Sequence, residues 1–295
     1  MNILITNDDG LMATGLQRLV RALHEDAGAN IYVCAPDGQR SATGHGITMN
    51  KPMTVEEVEM ENVEVAWQTS GLPADCVKIA LEFLRREGIH IDMVYSGINH
   101  GGNLGTDTLY SGTVAAALEG SLCGKPSAAV SVDSHEARWF EYACELAVNA
   151  AKTIEGQIAV GTADPRTVLN INTPNLPKEE IKGLRFTRLG PREYDEIFVP
   201  AHMDSEEERL KRDAARAAGG REAGAASPEV VEEVRTMEVK LPGSFRYSGT
   251  PLTYPDLPED YDVVANQDGY ASISPIHTDL TQFDKIEEIK GWGLG

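Results

Sequence analysis

Three stretches of the chain hold most of the side chains able to do chemistry, and nearly all of them present oxygen. The first is Asn7-Asp8-Asp9-Gly10, the second Asp37-Gly38-Gln39-Arg40-Ser41-Ala42-Thr43, and the third Ser96-Gly97-Ile98-Asn99, which opens a glycine-rich run to Gly105. Two adjacent carboxylates repel each other unless a cation lies between or beside them. A hard divalent ion such as Mg²⁺ or Mn²⁺ favours such ligands and keeps several waters. Asp8-Asp9 also suits a turn and helix cap, but one Asp would suffice for that. A fourth stretch, Ser111-Gly112-Thr113, precedes an Ala-rich run. Ser111 can cap a helix there, while the two hydroxyls and the first free N–H groups can hold a phosphate. His45 and His100 fall in loops that border these residues and read as rim or hydrogen-bonding groups.

The absent motifs narrow the chemistry. Gly10 follows Asp8-Asp9, so the D-x-D pattern of aspartyl-phosphate phosphatases fails. There is no G-x-x-x-x-G-K-[ST] and no G-x-G-x-x-G, which argues against a P-loop kinase and an ordinary dinucleotide site. No G-x-S-x-G elbow occurs, which removes an α/β-hydrolase. The histidines form no H-x-x-x-H pair or His/Cys cluster, which argues against zinc.

These stretches must be positioned by regular elements, and the apolar pattern supplies them. Residues 3–5 read as a buried strand, and Leu16, Leu19, Val20 and Leu23 follow helical spacing. Residues 30–35 make a second strand ended by Pro36-Asp37-Gly38, so a βαβ unit and a parallel sheet follow. Pro73 opens a helix whose face is Val77, Ala80, Leu81 and Leu84. Residues 91–96 form a strand, the loop runs from Gly97 to Gly105, and a helix spans 111–122 with Val114 and Leu118 inward. A strand near 128–132, a long helix marked by Phe140, Ala143, Cys144, Ala147, Val148 and Ala151, and a strand at 168–171 complete the alternation. The fold class is α/β: a Rossmann-like, mostly parallel sheet with helices on both faces, plus a C-terminal β-hairpin extension. Ligands of such sheets bind outside the carboxyl ends of the strands, where the oxygen-bearing stretches fall.

The second half changes character. Residues 204–235 are rich in Glu, Arg and Ala and broken by Gly219-Gly220 and Gly224. They read either as a solvated helix with a flexible tip or as a disordered insertion. Tyr194 to Val199 and Thr236 to Leu241 alternate enough to pair as a long hairpin, and residues 269–276 read as a strand. The expected organisation is a catalytic core over 1–185, a hairpin and insertion over 186–260 used in oligomerisation, and a strand and tail over 261–295 that return to the core or to a neighbouring subunit.

With 26 basic and 46 acidic residues the formal charge is −20. Such a surface repels polyanions, so a nucleic acid duplex or an anionic membrane is excluded as partner. A small phosphate ester stays compatible where a metal or helix N-terminus reverses the local potential. No apolar run approaches the ~20 residues that span a bilayer. The first residues lack a basic region, and Asp8-Asp9 follow at once, unlike a signal peptide. Cys34, Cys76, Cys123 and Cys144 are far apart and read as reduced core residues of a cytoplasmic protein.

Five ordered blocks resemble the SurE family, the survival-protein 5′/3′-nucleotidases. They are Ile3 through Gly10; Ala35-Pro36-Asp37 with Arg40-Ser41; Ser70-Gly71 with Pro73 through Cys76; Ser96 through Asn99 with Gly101, Asn103 and Gly105; and Tyr110 through Ala117 with Glu119-Gly120. Ser272 through Ile276 and Thr278 through Thr281 resemble the family's closing strand. The resemblance implies one divalent cation per subunit, Mg²⁺ or Mn²⁺, held by Asp8, Asp9, Ser41 and Asn99. It implies phosphate contacts from Asn7, Asn103, Ser111, Gly112 and Thr113. It further implies hydrolysis of nucleoside 5′- and 3′-monophosphates and short polyphosphate, and a homodimer or homotetramer formed by exchange of C-terminal segments. The chain departs from the family in its longer, more charged 200–235 segment. It also has Arg246-Tyr247-Ser248-Gly249-Thr250 where many members have Tyr-Trp-Ile-Gly-Gly.

The expected reaction is phosphomonoester hydrolysis by in-line attack of water, with the cation polarising a phosphoryl oxygen and lowering the pKa of its water. Asp8 and Asp9 hold the ion, and one of them orients or deprotonates the nucleophile; direct attack by Asp8 stays open. The helix start at Ser111 to Thr113 stabilises the charge that develops. The rival reading is a nucleotide- or anion-binding regulator that uses the same loops without turnover. A dinucleotide-dependent oxidoreductase is weakened by the missing fingerprint.

Overall fold

The computed structural model describes residues 1–194, 197–200, 245–248 and 256–293. The expected α/β architecture is present: a nine-stranded sheet with helices on both faces. Its central six strands are parallel, in the spatial order β4 (Val65–Thr69), β2 (Asn30–Pro36), β1 (Asn2–Thr6), β5 (Met93–His100), β6 (Ser127–Asp133) and β7 (Val168–Pro174). β3 (Val55–Glu57) pairs antiparallel on the outer edge of β4. At the other end β11 (Ala271–Ile276) lies antiparallel to β7, and β8 (Leu184–Phe186) pairs parallel to β11.

Strands buried on both faces read as continuous apolar runs, and β1 shows why. Ile3 and Ile5 point into one core and Leu4 into the other, all fully buried. Each such side chain contributes about 1.5–3 kcal/mol. The first core is covered by α1 (Thr14–Glu25) and α4 (Glu141–Ala159), the second by α2 (Pro73–Arg86) and α3 (Gly112–Leu122). Leu16, Leu19, Val20 and Leu23 are the buried stripe of α1, and Val77, Ala80 and Leu84 that of α2, with Leu81 half-buried beside them. Of the four cysteines expected in the core, Cys34 and Cys76 are buried, Cys144 is half-buried, and Cys123 is exposed because it caps the C-terminal end of α3.

From β1 the chain moves outward to β2 and β4, whereas from β5 it moves the opposite way to β6 and β7. The crevice between the carboxyl ends of β1 and β5 is therefore the switch point at which ligands of this architecture bind. One expectation needs correction there. The glycine loop does not begin at Gly97, because β5 continues to His100, with a register shift against β6 between Ser96 and Asn99. The run of glycine suggested a loop, but pairing of Asn99 with Ser131 and His100 with Val132 holds the segment as strand. The Gly97–Ile98 peptide bond is cis. Gly97 has φ +135°, and a Cβ there would lie 2.3 Å from the Val130 carbonyl oxygen.

The hairpin also differs from its expected form. Ile197–Pro200 (β9) pairs antiparallel with Phe245–Ser248 (β10), whereas residues 236–241 were expected to be the partner. Those residues and the 204–235 segment lie outside the described residues. Among the described residues, two short helices missed in the sequence, α5 (Asp262–Gln267) and α6 (Ile286–Lys290), flank β11, and no helix is long and apolar enough to cross a membrane.

Candidate functional site

β1 ends at Thr6, and the next four residues fold into a tight turn. The buried Asn7 amide closes it, with Nδ2 donating to the Gly10 carbonyl (2.9 Å) and Oδ1 accepting from Gly10 N–H (3.1 Å). Asn7 thus braces the turn that presents Asp8 and Asp9. Asp8 is 4% exposed, and its Oδ1 accepts a 2.6 Å hydrogen bond from the Thr113 hydroxyl in the first turn of α3. Asp9 is half-buried; its Oδ2 accepts from His100 N–H (3.2 Å) and its Oδ1 from Gln39 Nε2 (3.4 Å). One acidic pair therefore touches β5, the loop after β2 and the start of α3.

The other expected residues gather around this pair. Arg40 N–H donates to the Asp8 carbonyl (2.7 Å), which seats the following residue, the exposed Ser41, beside the acidic turn. Asn99 directly precedes the His100 N–H held by Asp9. Its Nδ2 donates to the Gly101 carbonyl (2.6 Å), so its amide nitrogen is committed to the loop and Oδ1 is the end able to act as a ligand. Asp8, Asp9, Ser41 and Asn99 are hard oxygen donors of the kind Mg²⁺ and Mn²⁺ take. Among the described residues no group of three or more His, Cys, Asp or Glu side chains is placed to hold a metal. A cation here would use carboxylate, amide and hydroxyl oxygens together.

The phosphate-ready helix start is built as the sequence suggested, with one change. Ser111 is the N-cap of α3, its hydroxyl oxygen accepting from Val114 N–H (3.0 Å). Gly112 packs against the acid: a Cβ there would lie 2.9 Å from both Cβ and Oδ2 of Asp8. The Thr113 hydroxyl proton is used on Asp8, which leaves the backbone N–H groups and the Ser111 hydroxyl proton as the donors this turn could offer an anion. Asn103 sits deeper. Its Nδ2 donates to Ser131 Oγ (2.8 Å), its N–H to Asn172 Oδ1 (2.8 Å), and its carbonyl accepts from Asn170 and Asn172. The structure places it as the anchor of the glycine loop on β6 and β7. Of the two rim histidines, His100 lies half-buried against Phe140, and burial pushes its pKa down.

Several supporting contacts escaped sequence reasoning. Glu119, buried on α3, binds His45 Nε2 (2.9 Å) of the Ser41 loop and Lys78 Nζ (2.9 Å) of α2. The His45 hydrogen bond, with Lys78 adding to it, holds the Glu119 carboxyl below its ordinary range against the opposing effect of burial. A lone acid on the inner side of an Ala-rich helix was the available signal. Asp107 in the single turn Gly105–Leu109 is gripped by Arg192 (Nε–Oδ2 3.2 Å) and by the Tyr194 hydroxyl. Asp262, fully buried at the start of α5, accepts from the backbone N–H groups of Gly105, Gly190 and Val263. Partners so distant in sequence leave no local pattern.

Comparison with known proteins gives the family. The family model for survival protein SurE matches residues 3–196. The 5′-nucleotidase SurE of Heliobacterium modesticaldum is 39% identical over 293 residues, covering 99% of this chain and 92% of that protein. The 5′-nucleotidase SurE of Synechococcus elongatus is 39% identical over 291 residues, covering 98% of each. The crystal structure of the SurE protein from Aquifex aeolicus superposes with a TM-score of 0.72 at 30% identity, over 99% of both chains. With matches spanning the acidic turn, the Ser41 loop, the glycine loop and the start of α3, this chain belongs to the SurE family.

Proposed function

We propose that this protein is a 5′-nucleotidase that hydrolyses nucleoside monophosphates to nucleoside and phosphate, with one divalent cation, Mg²⁺ or Mn²⁺, held by Asp8, Asp9, Ser41 and Asn99. The observation that carries the reading is the 2.6 Å bond from Thr113 to Asp8, which joins the acidic turn to the phosphate-ready helix start. The donor set suits a hard ion, because it offers two carboxylates, an amide oxygen and a hydroxyl. When bound, such an ion supplies Lewis-acid stabilisation of phosphoryl charge and eases ionisation of water.

The protein's own groups do the rest. Asp8 is fixed by Thr113, Gly112 and the turn that Asn7 braces. Asp9, with one oxygen on β5, is the group assigned to orient, or take a proton from, an attacking water. The backbone N–H groups of Gly112 and Thr113, with the Ser111 hydroxyl, stabilise the transferring group from a helix N-terminus. The net charge of −20 makes this local field necessary, since the overall field repels a nucleotide.

Turnover of 5′- and 3′-nucleotides and short polyphosphate across Mg²⁺, Mn²⁺ and Zn²⁺, with a chelator control, tests the proposal. The expected result is metal-dependent release of phosphate from 5′-monophosphates. Asp9→Asn is expected to lower kcat/KM by about 10³-fold, on the scale of losing a group that stabilises the transition state, with little change in Tm. Full activity in that variant or in chelator would refute the assignment. We further propose that residues 1–185 form the catalytic unit and that residues 186–260 join subunits into a dimer or tetramer. A monomeric mass by light scattering would contradict the second part.

A further inference from the structure

We infer that Asp262 is a positioning residue for the phosphate-binding helix start, acting from the far end of the chain through the backbone of Gly105. The inference rests on the reading of Ser111 to Thr113 as the phosphate cradle. Between β5 and α3 the chain is pinned at successive points. Asn103 is held by Asn170, Asn172 and Ser131, and Tyr110 accepts at its carbonyl from Gly44 N–H (2.9 Å). Gly105 lies between these points and starts the turn that delivers Ser111. Its N–H donates to Asp262 Oδ2 (2.8 Å), while Oδ1 takes Gly190 N–H (2.8 Å) and Val263 N–H (2.9 Å).

This junction leaves no room for another arrangement. Gly105 has φ +52°, and a Cβ on it would lie 2.3 Å from the Gly190 carbonyl oxygen. A Cβ on Gly190 would come within 2.7 Å of Val263 Cγ2 and 3.4 Å of Asp262 Oδ1. Three backbone N–H groups therefore meet at one carboxylate, two of them on glycines packed too closely to carry a Cβ. An apolar residue at 262 would fill the space but would leave those N–H groups unpaired. Burial raises the Asp262 pKa, and the three backbone hydrogen bonds oppose that rise. The carboxylate fixes where Gly105 stands, and so where α3 begins relative to Asp8. Displacement of a reacting group by ~1 Å costs about 10²-fold in rate.

The test uses the full chain with Asp262→Asn, which keeps size but sets an amide NH₂ against a backbone N–H. Gly190→Ala serves as a second variant that keeps the carboxylate but crowds the residues on either side of it, Val263 (Cγ2 at 2.7 Å) and Tyr261 (Cβ at 3.3 Å), and so shifts the junction. For each, kcat and KM for a nucleoside 5′-monophosphate are measured well below Tm, with amide hydrogen exchange of residues 105–114. We expect kcat to fall about 10- to 100-fold with KM nearly unchanged, and exchange to quicken at 105–114 while that of β1 and β2 stays as in the parent. A folded variant with parental kcat, or exchange quickened evenly through the core, overturns the inference. So does failure of both variants to fold, which would make the residue one for folding alone. If the unaltered protein releases no phosphate from any ester, the nucleotidase reading fails by itself. Exchange at 105–114 then decides the positioning role independently.

Discussion

Two helices start beside the same crevice, and they are built for different ends. α1 follows β1 and α3 follows β5, so both present an N-terminus, with its free N–H groups and partial positive charge, at the switch point. The start of α1 has Ala13 at the N-cap with no side-chain cap, and no acid in its first turn. Its Gly15 lies so close to β5 that a Cβ would fall 1.9 Å from the Ile98 carbonyl oxygen. The start of α3 has a serine cap, a glycine against Asp8 and a threonine bonded to the same acid. The first helix end is closed by packing on a strand backbone, whereas the second meets a carboxylate. A helix terminus becomes a candidate anion site through what faces it, not through its dipole alone.

Adding one methyl group to each helix start separates the two roles. Gly15→Ala sets a Cβ against backbone that no rotamer can move, so α1 must shift off β5. We expect a loss of more than about 4 kcal/mol, hence a Tm drop of more than ~8 °C for a chain of this size, read by calorimetry. A Tm within a few degrees of the parent would show that α1 docks loosely. Gly112→Ala meets Asp8 Cβ and Oδ2 at 2.9 Å and Pro73 Cγ at 3.2 Å. Overpacking of about 1–3 kcal/mol is partly offset by the ~1 kcal/mol that alanine gains over glycine within a helix. The net cost is then about 0–2 kcal/mol, at most half of that at Gly15, while the acid is displaced. The expected outcome is a fall in kcat of about 10²-fold with a Tm drop of no more than ~4 °C, and full activity would break the contrast between the two helix starts.

What the sequence made legible follows the same division. The buried strands and the stripe of Leu16, Leu19, Val20 and Leu23 were readable because burial on both sheet faces imposes local apolar patterns. The acidic turn and Ser111-Gly112-Thr113 were readable because oxygen-bearing side chains fell just after predicted strands. Continuation of β5 through Gly97 was not, since pairing with Ser131 and Val132 of β6 decides it and glycine locally argues for a loop. β3 was hidden by its own composition: Val55-Glu56-Glu57 is a half-exposed edge with no apolar run. Most of the supports of the site were illegible as well. Asp262 meets Gly105 across 157 residues, and Glu119 meets His45 across 74, so no window of sequence contains both partners. The groups proposed to touch substrate announce themselves by type, and the groups that hold them do not.

The Glu119 clamp is the mildest test of this contrast, because it supports α3 from behind its first turn. Its carboxylate is nearly buried, but Lys78 is 53% and His45 33% exposed at the side chain. Removing the charge therefore leaves an ammonium and an imidazole that water can solvate. Glu119→Gln should cost about 1–2 kcal/mol at neutral pH, below the full value of charged hydrogen bonds because both partners are screened. The hydrogen bonds to Glu119 lower its pKa in the folded state, so the unfolded chain takes up its proton more readily. The resulting stability is complete above the unfolded value of ~4.3 and is lost as pH falls through the folded value. Lys78 behaves in the opposite sense: its hydrogen bond to Glu119 raises its pKa. That contribution is complete below ~10.4 and is lost as pH rises through the raised value. Urea midpoints of parent and variant should consequently differ most between about pH 5 and pH 9 and converge on acidification. A gap that stays constant to pH 3 would mean that the loss comes from the amide NH₂ set against His45 or Lys78 and not from the missing charge. Because the clamp touches the Ser41 loop and neither Asp8 nor Gly112, activity in this variant should fall far less than in Gly112→Ala.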